Sequence, residues 1–235
     1  MNLRFHGDTL ARAGALDFAT CVWPAAPPAP LIGALARGLD ECDRYPDERF
    51  AREQIAARHG RQPEEVLLLN GACEAFWLLA HALRPARAAC VHPSFTEPEA
   101  ALPAVGTKVV RVPLDRDSWC LDPSRIPDDA ELVVIGCAAD HATPHRVAAE
   151  VAAARADLLD ALSARPGLRA WPSAANFLLL RTDDADLAGA LAGEGIAVRP
   201  ANSFPGLGER YIRIAVRPPA DNARLLAALD EALAR

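Results

Sequence analysis

The sequence predicts an α/β protein: a shortened parallel sheet with crossover helices, followed by a smaller α+β domain. Between residues 50 and 136, short apolar runs alternate with segments of helical spacing, the arrangement of parallel strands joined by crossover helices. From Val147 onward the texture changes to a long alanine-rich helix and an αββαββα succession. At the centre of the first half, Leu67-Leu68-Leu69-Asn70-Gly71-Ala72-Cys73-Glu74 carries an apolar run straight into a small-residue turn and a helix start.

Taken in order, residues 1–30 read as a proline-rich irregular arm with Phe18, Val22 and Trp23 as anchors. Residues 31–144 read as a truncated large α/β domain, and residues 145–235 as the small domain. Leu31 to Cys42 has helical spacing. Arg44-Tyr45-Pro46-Asp47 is a turn, and Phe50 to His59 is a helix closed by Gly60. Val66–Asn70 reads as a strand, Glu74–Leu83 as a helix, and Ala88–His92 as a short buried strand ended by Pro93. Glu97–Val105 is a helix stopped at Gly106, and strands follow at Lys108–Val112 and Leu132–Gly136. In the small domain a helix reaches Ala164, then strands at Leu168–Trp171 and Asn176–Arg181 lead to a helix over Asp184–Glu194. Strands at Ile196–Arg199 and Tyr211–Val216 precede a last helix from about Ala220 to Ala234.

With 51% hydrophobic and 24% charged residues, the composition is that of a globular protein. A net charge of −6 offers no nucleic-acid footprint. No apolar run approaches the roughly 20 residues of a membrane span. The N-terminal residues show no signal-peptide core, so a cytoplasmic protein is expected. Six cysteines without a C-x-x-C pair argue for reduced thiols rather than a zinc site. Of 25 basic residues, Lys108 alone is lysine. Chemistry that needs a primary amine on a side chain has one candidate.

At Gly71 and Ala72 the join of strand and helix points backbone N–H groups and the positive end of a helix dipole at one place, where an anion such as phosphate is held. An ordinary strand-to-helix turn is the competing reading. Three further patterns stand in order with it: Arg44-Tyr45-Pro46-Asp47, His92-Pro93-Ser94-Phe95-Thr96-Glu97, and Tyr211-Ile212-Arg213-Ile214-Ala215-Val216-Arg217. Together they resemble the fold-type I pyridoxal-phosphate (PLP) enzymes. The likeness is greatest to histidinol-phosphate aminotransferases and to the threonine-phosphate decarboxylases of cobalamin synthesis. His6-Gly7, Cys21-Val22-Trp23-Pro24 and Ser173-Ala174-Ala175-Asn176-Phe177-Leu178 add to the second likeness.

That resemblance implies a homodimeric aminotransferase or decarboxylase acting on a small phosphorylated amino acid. It implies that Gly71, Ala72 and Cys73 bind the cofactor phosphate and that Phe95 stacks on the pyridine ring. Tyr45 would reach the cofactor of the neighbouring subunit, and Arg213 would pair with the substrate carboxylate, with Arg217 as its substitute. His6, with Arg4, would meet the substrate phosphate, and Asn176 belongs to the substrate side. Each has a plainer alternative: a core phenylalanine, a locally packed tyrosine, a solvated arginine, a loose N-terminus.

Where the family carries an asparagine-proline segment, this chain reads Cys137-Ala138-Ala139-Asp140-His141-Ala142-Thr143-Pro144. The aspartate that pairs with the ring nitrogen and the Schiff-base lysine segment have no counterpart, and a central block is missing. Lys108, at a strand start, reads as a solvated lysine on the far side of the sheet. The expectation is therefore a chain of this lineage without normal turnover: a pseudoenzyme or phosphate-ligand-binding remnant, or a product of deletion. The reduced sheet is expected to have four strands, with 66–70 pairing directly with 132–136 and stability that leans on dimerisation.

Overall fold

The computed structural model describes residues 3, 5–10, 14–22, 27, 29–40, 42–43, 45–136 and 145–234. In chain order the strands are β1 (Leu16–Asp17), β2 (Arg87–His92), β3 (Lys108–Pro113), β4 (Leu132–Val134), β5 (Leu168–Ala170), β6 (Phe177–Thr182), β7 (Ile196–Ala197), β8 (Arg199–Pro200) and β9 (Tyr211–Ala215). The helices are α1 (Ala29–Leu39), α2 (Arg49–His59), α3 (Ala72–Leu83), α4 (Glu97–Ala104), α5 (His145–Ser163), α6 (Leu187–Gly193) and α7 (Pro219–Leu233). The chain forms two compact units, Pro24–Leu78 and Met1–Trp23 with Leu79–Arg235, and the boundary falls within α3.

The larger unit holds a three-stranded sheet in the order β3-β2-β4, parallel throughout. Its central strand β2 is buried from Ala88 to His92, as expected of a parallel strand covered on both faces. Ala89, Val91 and Val112 form a small core with Leu114, Leu121 and Ile126 packed against it.

A second sheet, antiparallel in the order β5-β6-β9-β8, carries the main core of this unit. Along β6 burial alternates strictly, with Leu178, Leu180 and Thr182 inside. Ile212 and Ile214 of β9 do the same. Leu158 and Leu162 of α5, Leu187 and Leu191 of α6, and Leu225 and Leu229 of α7 close over that face. Burying one such side chain contributes about 2 kcal/mol, so this layer is the principal source of stability. Phe18 of the N-terminal arm is fully buried in the same cluster. The arm enters through β1, which runs parallel to β7 with Leu16 opposite Ile196.

Three expectations are corrected. The large sheet has three strands, not four: residues 66–70 form no strand, although Val66 keeps an extended backbone at φ −107°, ψ 125°. An apolar run announces burial, but a strand exists only when a neighbour takes its backbone hydrogen bonds, and no sequence pattern names that neighbour. Val22 is no anchor, being 66% exposed; its carbonyl, not its side chain, is what the body holds. Finally, the strand read at Ile196–Arg199 is two, β7 and β8, each pairing with a different partner. Trp23 lies outside the described residues.

Candidate functional site

The period-2 alternation of β9 puts Ile212 and Ile214 into the core and so turns Arg213 to the opposite face. Leu179, directly opposite Arg213 in the register, and Phe177 share that face. The guanidinium sits over the Phe177 ring at 5.1 Å from its centroid. Arg213 donates from Nη2 to the Ala19 carbonyl at 2.9 Å, while its buried Nε has no hydrogen-bond partner. A buried donor left unmade costs free energy, a cost that the Nε of Arg217 shares.

Phe95 follows the C-terminal end of β2 and is 44% exposed. It lines two adjoining cavities with Arg213 and Phe204. One, of about 280 Å³, also takes in His6, Thr20 and Arg199; the other, of about 340 Å³, takes in Ser94, Gly136 and Phe177. The backbone at Gly136 approaches so closely that an added Cβ would meet Ser94 Oγ at 2.3 Å. Both cavities lie at the C-terminal end of the parallel strands, where open α/β sheets bind ligands.

The N-terminal arm forms one wall. His6 Nε2 lies 2.8 Å from Glu97 Oε1, and its ring meets Phe95 at 5.3 Å between centroids. Thr96 Oγ1 donates to the Leu3 carbonyl. Gly7 is packed so tightly that an added Cβ would sit 2.4 Å from the Ala19 carbonyl oxygen. The turn after β1 is held by Asp17, whose Oδ1 accepts from the Ala19 and Thr20 amides at 2.8 and 3.0 Å while Oδ2 takes the Thr20 hydroxyl. Burial alone would raise the Asp17 carboxyl, but these hydrogen bonds and Arg217 outweigh it and hold it below its ordinary value.

Arg217 is almost wholly buried; its Nη1 and Nη2 are engaged, while its Nε, like that of Arg213, has no hydrogen-bond partner. It pairs with Asp17 at 3.2 Å and donates to the Val22 and Thr20 carbonyls. Asn176 donates from Nδ2 to the Cys21 carbonyl at 2.8 Å. Both residues bind the arm. Arg199 is a site residue that the sequence reading passed over. It lies between the Phe5 and Phe204 rings, 4.5 and 5.2 Å from their centroids, and donates to the Phe5 carbonyl and to Ser203 Oγ at 2.9 Å. A charged residue inside the apolar run Ile196–Pro200 was the available signal.

The structure thus brings His6, Phe95 and Arg213 to one cavity. Gly71, Ala72, Cys73 and Tyr45 belong to the unit 24–78. There Gly71 adopts φ +87°, a conformation natural to glycine, and Ala72 opens α3. Asn70 bonds Glu74 Oε2 through its backbone N–H at 2.7 Å and through Nδ2 at 3.3 Å. Tyr45 is 99% exposed. Lys108 begins β3 opposite Arg87, whereas Phe95 lies beyond the other end of the neighbouring strand. At about 3.3 Å per residue the length of the strand, some 16 Å, separates the two ends. Arg4, Asp140 and His141 lie outside the described residues.

No family model matches the chain. It is 48% identical over 136 residues to a histidinol-phosphate aminotransferase of Mycobacterium tuberculosis, a match covering 57% of this chain and 37% of that protein. The chain thus matches little more than a third of that relative's length. To the threonine-phosphate decarboxylase of Salmonella typhimurium it is 27% identical over 331 positions, covering 93% of this chain and 91% of that protein. The match spans 331 positions but takes in only 93% of this chain's 235 residues, about 219, so about 112 positions within the matched span have no residue here.

Among solved structures, the L-threonine-O-3-phosphate decarboxylase from Porphyromonas gingivalis superimposes with a TM-score of 0.76 at 22% identity, covering 94% of this chain and all of that one. The histidinol-phosphate aminotransferase from Sinorhizobium meliloti, solved with pyridoxal-5'-phosphate, gives 0.73 at 15% identity, covering 98% and 95%. The fold is that of the PLP-dependent transferases, in shortened form.

Proposed function

We propose that this chain is a ligand-binding relative of the PLP-dependent enzymes for phosphorylated amino acids, one that takes an amino-acid carboxylate at Arg213 without forming a Schiff base. The observation that carries this reading is that Arg213, whose buried Nε has no hydrogen-bond partner, lines a cavity together with Phe95 and His6. A guanidinium with a spare in-plane donor suits a carboxylate. His6 and Arg199 add cationic or hydrogen-bonding capacity on the same wall, suited to a second anionic group.

The residues present do not fit covalent attachment of pyridoxal phosphate. Attachment needs a primary amine beside the ring, and Lys108 stands at the opposite end of the sheet from Phe95. Self-association belongs to the same reading: Leu31, Ile32, Leu35 and Leu39 form an exposed apolar stripe on α1, which buries no residue of its own.

Titration with O-phospho-L-threonine tests the proposal, followed by calorimetry on the wild type and on Arg213→Gln. Saturable binding that weakens roughly tenfold or more in the variant supports it, the size expected for a lost charge-assisted pair. Equal binding by both proteins refutes it. In parallel, pyridoxal phosphate with borohydride should leave no pyridoxyl group on Lys108 by peptide mass; a fixed pyridoxyl group there would restore the enzymatic reading.

A further inference from the structure

A third cavity in the larger unit, of about 610 Å³, shares no lining residue with the two around Arg213. Its volume falls within the 300–1,000 Å³ typical of small-molecule sites. Its walls come from the C-terminal end of β3, the loop that follows, and Pro205–Gly206 of the small lobe. Three guanidiniums line it: Arg111, Arg116 and Arg125. We propose that this cavity is a binding site for a phosphate-bearing small molecule.

Each arginine is oriented by one anchor that leaves further donors over. Arg111 gives Nε and Nη2 to Glu99 Oε1, at 2.7 and 2.6 Å. Arg116 donates from Nη2 to the Gly206 carbonyl at 2.9 Å, and Arg125 from Nη1 to the Pro113 carbonyl at 3.0 Å. Five N–H donors per guanidinium exceed these contacts. A carbonyl anchor holds a guanidinium in place without neutralising it, so Arg116 keeps its charge for a ligand.

Two carboxylates, Asp115 and Asp122, lie near Arg125 and offset part of its charge. Asp115, also in the lining, turns Oδ1 back to the Asp117 amide at 3.1 Å and to the Ser118 amide and hydroxyl, both at 2.8 Å. Glu99 lies behind the wall, between Arg111 and His92.

His92 is the second, independent pointer. Its side chain is 1% exposed, it lines the cavity, and its Nδ1 has no hydrogen-bond partner. Nε2 lies 2.6 Å from Glu99 Oε2. Despite that approach, neither ring nitrogen makes a hydrogen bond within the chain, so the imidazole retains both a donor and an acceptor. Arginine forks and an imidazole at one cavity match the tetrahedral oxygens of phosphate.

The test uses the whole chain and inorganic pyrophosphate as the probe. Titration calorimetry compares the wild type, Arg116→Gln/Arg125→Gln and Arg213→Gln. The expected result is binding weakened about tenfold or more in the double variant and unchanged in Arg213→Gln. Because the double variant also loses two loop anchors, phenylglyoxal modification of the wild type provides a second measurement. Pyrophosphate should protect Arg116 and Arg125, read by peptide mass, and leave the exposed Arg224 reactive. Pyrophosphate binding that survives in the double variant, or that is lost in Arg213→Gln, would overturn the proposal. So would the absence of protection at saturating probe.

Discussion

At the scale of residues, two arginines four positions apart on one strand and its extension both hold the arm yet differ in what surrounds them. Each keeps a buried Nε without a partner, but Arg213 lines a cavity, whereas Arg217 is paired with Asp17 and bonded to two carbonyls of the arm. Arg217→Ala is expected to cost about 3 kcal/mol, because Asp17 and two carbonyls lose a buried cation; thermal unfolding of the variant measures it. Asp17 also makes stability depend on pH. Its folded pKa lies below the ordinary value of 3.8, so its contribution is present above that value and lost as pH falls through the folded pKa. Asp17→Asn should therefore lower stability at neutral pH and flatten the acid limb between roughly pH 5 and 2. His92 acts in the same direction at higher pH. Burial depresses its pKa from 6.5 despite the neighbouring Glu99, so stability declines as pH drops below about 6.5. His92→Gln should remove that limb of the pH profile without affecting the Asp17 limb.

Among the elements, the N-terminal arm decides the shape of the Arg213 cavity. Its packing leaves no room at Gly7, where a Cβ would meet the Ala19 carbonyl. Gly7→Ala is expected to lift the arm, separating His6 from Phe95 and Glu97. Cleavage within the first 22 residues by trypsin should then accelerate severalfold, while the core helices stay protected. In the core of the small lobe, Leu178→Ala should cost 2–5 kcal/mol, the range for a fully buried leucine whose neighbours collapse only in part. Guanidinium unfolding provides the check.

At the scale of the whole molecule, the main consequence is a sheet that ends early. β4 has only three residues, and Val133 and Ile135 are 37% and 52% exposed. Together with the stripe on α1, this leaves more apolar surface uncovered than single exposed leucines account for. Sedimentation velocity should show a concentration-dependent dimer, weakened by Leu35→Glu. A monomer at all concentrations, unchanged by that substitution, would separate the exposed stripe from assembly.

Much of this was legible in the sequence because period and punctuation are local signals. The alternation of β6 and β9, the helices α4 and α7 and the turn at Gly71 follow from which residues lie two, three or four apart. The same alternation placed Arg213 away from the core, and the single lysine bounded the chemistry. Partnership is different in kind. That residues 66–70 stay unpaired, that Ile196–Arg199 divides between two sheets and that Arg217 is consumed by the arm are outcomes of long-range contact. They depend on which distant backbone groups are close enough to bond. Sequence by itself determined the fold class, the faces of its strands and that Lys108 is the single lysine. Only the tertiary structure decided what Arg213 and Arg217 bind, because their partners are carbonyls of Ala19, Thr20 and Val22, nearly 200 residues away in the chain.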